Sequence, residues 1–265
     1  MDPLAPLTAS LHNEGRLRVW SLVITVFGDL VQHRGGEISS TRLGQVLGRV
    51  GVEGGAVRTA LSRLTRDGWV TRQRSGRSSL YQLSQQGLAR FAPATSRIYA
   101  PPRVTPVELW ALSLTLADNG EPKVVLLPAD RVQTTGDCQV VGTLTQLSEG
   151  FKTAALPPEA VAALGTLSRD LCVLEERSVG GIDAAAARLL LIHRWRRIVL
   201  RYPEPEPDLM PLSLNLANPR QRVAEVYAGL SAATEAWLGQ PVGDDPALPV
   251  ADATFATRFT ATSEA

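Results

Sequence analysis

The chain has 265 residues, enough for roughly two domains, and its 44% hydrophobic and 20% charged residues describe a packed globular protein. It has no run of about 18 apolar residues, which argues against a membrane-spanning helix, and MDPLAPLTASLHNEGR lacks the basic start and apolar stretch of a secretory signal. The formal charge of +1 hides two unlike parts. Residues 1–100 carry 13 Arg and no Lys against six carboxylates, a net of +7, whereas residues 101–265 carry 14 basic and 20 acidic groups, a net of −6. A basic module on an acidic body points to nucleic acid held at one end.

Residues 1–15 mix Pro, Ser, Asn and Gly without periodicity and are expected to form a flexible arm. LRVWSLVITVFGDLVQH follows, apolar almost all round. Its β-branched residues would suit a strand, but about 17 residues without a turn signal before Arg34-Gly35-Gly36 favour a buried helix. Ser39, Ser40 and Thr41 are N-cap types, and Leu43, Val46, Leu47 and Val50 fall on one helical face. Gly51 marks the sharp turn of a helix-turn-helix. Val57, Leu61 and Leu64 then stripe a second helix, with Thr59, Ser62, Arg63 and Arg66 opposite, and Asp67-Gly68 stops it. WVTRQR and SSLYQLS are β-prone runs joined by Ser75-Gly76-Arg77. Helix, helix, turn, recognition helix and basic hairpin make the outline of a winged-helix DNA reader over residues 16–91.

A short helix and a Pro-marked linker over 92–106 lead to a small α+β part, 107–156. Two strands, 109–116 and 123–132, are predicted around Asp118-Asn119-Gly120, with a third over 137–144. The chain turns helical at Pro157, with long helices over 183–201 and 218–238 in a C-terminal domain spanning 157–238. Residues 239–265, rich in Pro, Ala and Thr, are expected to be a disordered tail. The fold class is thus mainly α with small α+β parts.

Arginine can pair bidentately with guanine or with a phosphate, and Ser or Thr can serve either role. The candidate DNA contacts are therefore Thr41 and Arg42 at the start of the first reader helix, and Arg58, Thr59, Ser62, Arg63 and Arg66 on the second. Arg72, Arg74 and Arg77 of the hairpin are assigned to backbone phosphates. Arg58, at the edge of the apolar stripe, could equally brace the fold. His193, Arg194, Trp195, Arg196 and Arg197 form a second basic cluster. It reads either as an anion pocket with Trp195 stacking on a flat group, or as a cationic helix end offsetting its dipole. Chemistry finds no foothold: His12, His33 and His193 are scattered, no nucleophile elbow or phosphate loop occurs, and Asp118, Asp130 and Asp137 are too loosely spaced for a metal-dependent nuclease. Cys138 and Cys172 form no cluster, which suits a reducing cytoplasm and small core positions and argues against a disulfide or zinc framework.

SLVITVFGDLV (21–31), AVRTALSRLTRDGWVTRQRSGRSSLYQLSQQG (56–87), Arg97-Ile98-Tyr99, LIHRWRRIVLRYPEPEPDLMP (191–211) and VYAGLSAATEAWL (226–238) together resemble the PaaX family of bacterial repressors of phenylacetate degradation. The resemblance implies an N-terminal winged helix, a central ferredoxin-like domain and a C-terminal helical dimerisation region. It also implies a homodimer on a DNA operator, released by an aryl-CoA thioester such as phenylacetyl-CoA, with no catalytic cofactor. Only residues 117–122 separate the first two middle strands, too few for the family's helix there, so the central domain is expected in reduced form. The rival is a winged helix attached to an enzymatic body, nuclease-like or CoA-processing.

Overall fold

A computed structural model describes residues 2–260 apart from 14, 16, 76, 77, 104, 133–135 and 204–205. The chain is mainly helical, with two three-stranded antiparallel sheets. Among the described residues no helix is long and apolar enough to cross a membrane.

Most of the segment expected to be a loose arm is helical. Helix α1 (Ala5–Asn13) lays Leu7 and Leu11, with Leu4 before it, into the main core. Three leucines at helical spacing suffice once α7 (Pro158–Glu175) and α8 (Gly181–Arg201) offer an apolar surface. Next comes α2 (Val19–Val26), which is buried from Leu22 onward as its composition requires. It runs into a π-helical turn, Phe27–Val31, and a 3-10 turn, Gln32–Arg34. The wider turn carries Gly28 against Phe91, where an added Cβ would come 2.2 Å from the ring. It also buries Asp29 completely.

A short strand, β1 (Glu37–Ser39), precedes α3 (Ser40–Arg49), whose N-terminus is capped by the Ser39 hydroxyl accepting from Arg42 N at 3.0 Å. Helix α4 (Gly54–Arg66) buries Val57, Ala60, Leu61 and Leu64 as the stripe demands. It ends in a Schellman motif: Trp69 N donates to Leu64 O at 2.8 Å and Gly68 N to Thr65 O at 3.2 Å, with Gly68 at φ +72°. The chain is thereby turned straight into the hairpin of β2 (Val70–Ser75) and β3 (Ser78–Leu83). β1 adds to β3, giving the order β1-β3-β2. β1 carries no signal in sequence, since three residues cannot display a period.

Helix α5 (Gln85–Ile98) accommodates Pro93, so it extends well into the segment expected to be linker. Pro93 is exposed, and only one backbone donor is lost. Strands β4 (Trp110–Leu116), β5 (Pro122–Pro128) and β6 (Cys138–Gly142) form the second sheet in the order β5-β4-β6. Cys138 is exposed there and Cys172 is half-buried, so neither is the core residue expected. Short α6 (Glu149–Ala155) precedes α7 and α8; α8 packs most extensively on α9 (Pro219–Leu238).

Over the described residues 239–260, the expected disordered tail is instead a strap; residues 261–265 lie outside the described residues. From the end of α9 it crosses the reader, with Leu248 N donating to Leu238 O and Asp252 N to His33 O. Through α10 (Ala253–Ala256), Phe255 stacks on His33 at 4.7 Å, and Phe259 is buried between Tyr99 and Tyr227. Arg258 reaches Asp29 Oδ1 (3.2 Å), Tyr227 Oη (2.6 Å) and Gly28 O (2.9 Å). Two aromatics and one arginine hold this segment without any periodic pattern.

Candidate nucleic-acid interface

The outer face of α4 carries three exposed arginines. Arg58, Thr59, Ser62, Arg63 and Arg66 are all exposed while the opposite stripe is locked into the core. The side chains of Arg63 and Arg66 are 61% and 76% exposed and share Asp67 at 3.5 and 3.4 Å. Such exposed pairs contribute at most about 1 kcal/mol, so both guanidiniums can leave Asp67 for a stronger acceptor. Thr59 donates its hydroxyl back to Gly55 O at 3.0 Å, which leaves it an acceptor and a methyl to present. Across the hairpin, Arg72 donates from Nε and Nη2 to Ser79 Oγ at 2.9 and 2.8 Å, which aims its guanidinium. Arg74 stands exposed one pleat nearer the tip. Arg77 lies outside the described residues.

The two remaining expected contacts separate. Thr41 is exposed, but Arg42 is fully buried and points away from the α4 face. Its guanidinium donates to Leu238 O (3.2 Å), Gln240 O (2.7 Å) and Pro246 O (3.0 Å) and pairs with Asp245 at 3.5 Å. It is therefore a strut that caps the end of α9. The sequence reading missed Arg90, exposed and lying over the Trp69 ring at 5.3 Å at the hairpin base.

The second cluster does not converge as a whole on one pocket: His193, Arg194 and Arg197 line one small cavity beside Asp170, and Arg196 lines another. Successive residues of a helix leave it about 100° apart, so the five spread over several neighbours, with only Thr25 shared, by His193 and Arg196. Arg194 binds Asp170 and Ser10 Oγ. Trp195 is wholly buried, donates Nε1 to Ile98 O at 2.9 Å and lies under Arg220 at 5.1 Å, so it cannot stack on a ligand. Arg196 donates Nη1 to Ser21 O and Thr25 Oγ1, and Arg197 is exposed. His193 Nδ1 lies 3.0 Å from Thr25 Oγ1, and burial, with Arg196 and Arg197 adding, pushes its pKa down to about 3.

That shift has a testable sign. The unfolded imidazole takes up a proton near 6.5, whereas the folded one resists until about pH 3. Its contribution is therefore fully present above 6.5 and lost as the pH falls towards 3. Between pH 7.5 and 5, His193 should cost about 2 kcal/mol of stability. Urea melts of the wild type minus those of His193→Gln isolate it, and identical pH slopes in the two proteins would refute it.

Behind the reader sits a buried ionic network. Asp29 accepts from Arg188 Nε at 2.9 Å and from Tyr99 Oη at 2.8 Å, and Arg188 continues to Glu235 at 2.8 Å. Burial opposes the Glu235 charge, but His33 and Arg188 hold its pKa down to about 2. Among the described residues no group of three or more His, Cys, Asp or Glu is placed to hold a metal ion.

The PaaX-like protein family model matches residues 18–87, the span of the helical reader and its hairpin. The transcriptional repressor PaaX of Escherichia coli (strain K12) is 30% identical over 272 residues, covering 86% of this chain and 86% of the repressor. Uncharacterized protein Rv0674 from Mycobacterium tuberculosis, a solved structure, aligns with a TM-score of 0.48 at 15% identity over 82% of this chain and 97% of its own. With 30% identity carried across 86% of the length of both proteins, this chain belongs to the PaaX family.

Proposed function

We propose that the chain is a sequence-specific DNA-binding repressor of aromatic-acid catabolic genes of the phenylacetate type. The observation that carries this is the arginine-bearing face of α4, rigidly backed by Val57, Leu61 and Leu64 and flanked by a hairpin bearing Arg72 and Arg74. The identity shared with a repressor over 86% of its length makes this a regulator's architecture and not an enzyme's. In this reading α2 through β3 form a winged helix-turn-helix, and α4 enters the major groove with Arg63, Arg66 and Thr59 towards base edges. The hairpin arginines sit on phosphates and set register. The three-stranded sheet stands in for a reduced ferredoxin-like domain, and the helices beyond residue 157 form the dimerising and effector-sensing body. Two copies read the two halves of a two-fold operator. An aryl-CoA thioester such as phenylacetyl-CoA releases them by binding the DNA-incompetent arrangement more tightly.

A gel shift on the upstream regions of phenylacetate-type genes, with and without phenylacetyl-CoA, tests the reading; absence of any specific shift overturns it. Within that assay Arg63→Ala should weaken operator binding by about 1–3 kcal/mol, with a smaller loss on random duplex. Arg72→Ala and Arg74→Ala should weaken both duplexes alike and each lower the salt slope by about 1. Unchanged discrimination in Arg63→Ala would remove that residue from base reading.

A further inference from the structure

His33 meets the C-terminal strap in three ways. Its carbonyl accepts from Asp252 N at 2.7 Å, its ring stacks on Phe255 with centroids 4.7 Å apart, and its Nδ1 lies 3.3 Å from Arg258 Nη2. On the other edge of the ring, Nε2 lies 3.1 Å from Glu235 Oε1. These partners fix the proton. A guanidinium only donates and an ionised carboxylate only accepts, so Nδ1 is bare and Nε2 carries the hydrogen. The ring is therefore neutral, and burial keeps it so. Burial holds the His33 pKa below its ordinary 6.5 against the pull of Glu235, and the Arg258 charge adds to the effect of burial.

The carboxylates around the ring are already engaged. Glu235, on α9, is shared with Arg34 at 2.9 Å and with Arg188 of α8 at 2.8 Å. Asp29, in the π-helical turn, is held by Arg188, Arg258 and Tyr99. Asp252, at the cap of α10, accepts from the amide and hydroxyl of Thr254. A proton added at Nδ1 would turn the acceptor of Arg258 into a donor aimed at a guanidinium. The strap is held lightly enough for that to matter. Across residues 239–260 only Phe259 is buried, and it sits at φ +59°, a left-handed conformation costly for a bulky side chain. Segments with so few buried apolar contacts open locally well before the whole fold does.

We propose that His33 is a proton-operated latch for residues 252–259 of the strap: neutral, it accepts from Arg258 and stacks on Phe255, and once protonated it lets both go. Opening the latch takes Arg258 off Asp29, Gly28 O and Tyr227, and Phe259 off Tyr99. Acidification thus loosens the strap where the reader meets α9. The docked ring resists the proton, and the released ring, back in water, accepts it near 6.5. Docking by His33 is therefore complete above 6.5 and is lost as the pH falls below it, by up to about tenfold in the open-to-docked ratio per pH unit. The neighbouring carboxylates stay ionised through this window. Glu235 is held down to about 2, and the hydrogen bonds from Thr254 keep Asp252 below the ordinary carboxylate range.

Hydrogen exchange of the full chain at pH 7.5 and 5.5, corrected for intrinsic exchange rates, reads the latch at the amides of Asp252 and Phe259, which donate to His33 O and Tyr99 O. In the wild type both should open about tenfold more often at pH 5.5. His33→Gln keeps an amide donor and acceptor but cannot titrate. Its opening should agree within about twofold at the two pH values, even where the strap is looser throughout. An NMR titration of the His33 ring protons gives a readout that does not depend on that variant folding. The wild-type ring should titrate below 6.5, and Arg258→Met should raise its pKa by about half a unit or more. Equal protection at the two pH values in the wild type overturns the latch. So does an undiminished pH effect in His33→Gln, or an unmoved His33 pKa in Arg258→Met.

Discussion

Replacing Arg188 by Met should remove about 3–5 kcal/mol of folding stability, the cost of leaving a buried charge without its partner. Arg188 is wholly buried on α8. It binds the Asp29 carboxylate at 2.9 Å, the Asp29 carbonyl at 3.2 Å and Glu235 at 2.8 Å, and its guanidinium lies 5.2 Å from the Tyr227 ring. Methionine keeps much of the stem but leaves Asp29 with only Arg258 and Tyr99, in a site that water does not reach. Because Asp29 lies in the π-helical turn of the reader while Glu235 lies on α9, the loss falls on the seam between the DNA-binding unit and the body. Chemical denaturation should show the lower midpoint. Asp29→Asn combined with Arg188→Met should cost less than the sum of the two single changes, since Asp29→Asn removes the carboxylate that Arg188→Met would leave without its arginine. A single-mutant loss below about 1 kcal/mol would mean that Arg258 alone satisfies Asp29.

What was legible in the sequence was local. Val57, Leu61 and Leu64 with Gly68 announced α4 and its stop, because a helix stripe and a left-handed residue are properties of a dozen consecutive residues. Two apolar runs around the turn at Asp118-Asn119-Gly120 likewise announced β4 and β5. The largest misreadings are long-range. Arg42 carries the pattern of an exposed helix start, and what buries it is a set of carbonyls some 200 positions later. The strap over 240–260 has no period, and its stability comes from Phe255, Arg258 and Phe259 meeting His33, Asp29 and Tyr99, partners that no window contains. The run from His193 to Arg197 reads as one basic site in sequence, but charges adjacent in sequence need not be adjacent in space. On a buried helix they diverge, Arg196 towards the cavity beside Thr25, and His193, Arg194 and Arg197 towards a different one beside Asp170. The widened turn at Phe27–Val31 has no sequence signature either. Gly28 is its only trace, and it becomes meaningful once Phe91 is seen against it.

Arg42 gives the sharpest separation between a DNA contact and a strut. As a DNA contact, Arg42→Ala would weaken operator binding and leave folding alone. Buried, with its guanidinium closing the C-terminal end of α9 and pairing with Asp245, it should instead cost about 3–5 kcal/mol of stability. Part of that loss comes from the carbonyls of Gln240 and Pro246 losing their donor, at about 1–3 kcal/mol for a buried polar group left without a partner, whereas Leu238 O keeps the Leu248 amide. Asp245 would keep only the Ser39 hydroxyl, which donates to it at 2.5 Å. Arg42→Lys should recover little, because one ammonium cannot span acceptors arranged for a planar fork. The consequence should also be directional. Hydrogen exchange should speed up at the end of α9 and along 240–250, where the carbonyls lose their donor, and at the start of α3. Amides in the middle of α4, held by Leu61 and Leu64, should change less. Operator binding by the fraction that remains folded should then stay within about twofold of wild type, a shift of only ~0.4 kcal/mol. A stable Arg42→Ala chain that has lost operator affinity would return Arg42 to the DNA interface and require the strap to be undocked when DNA is bound.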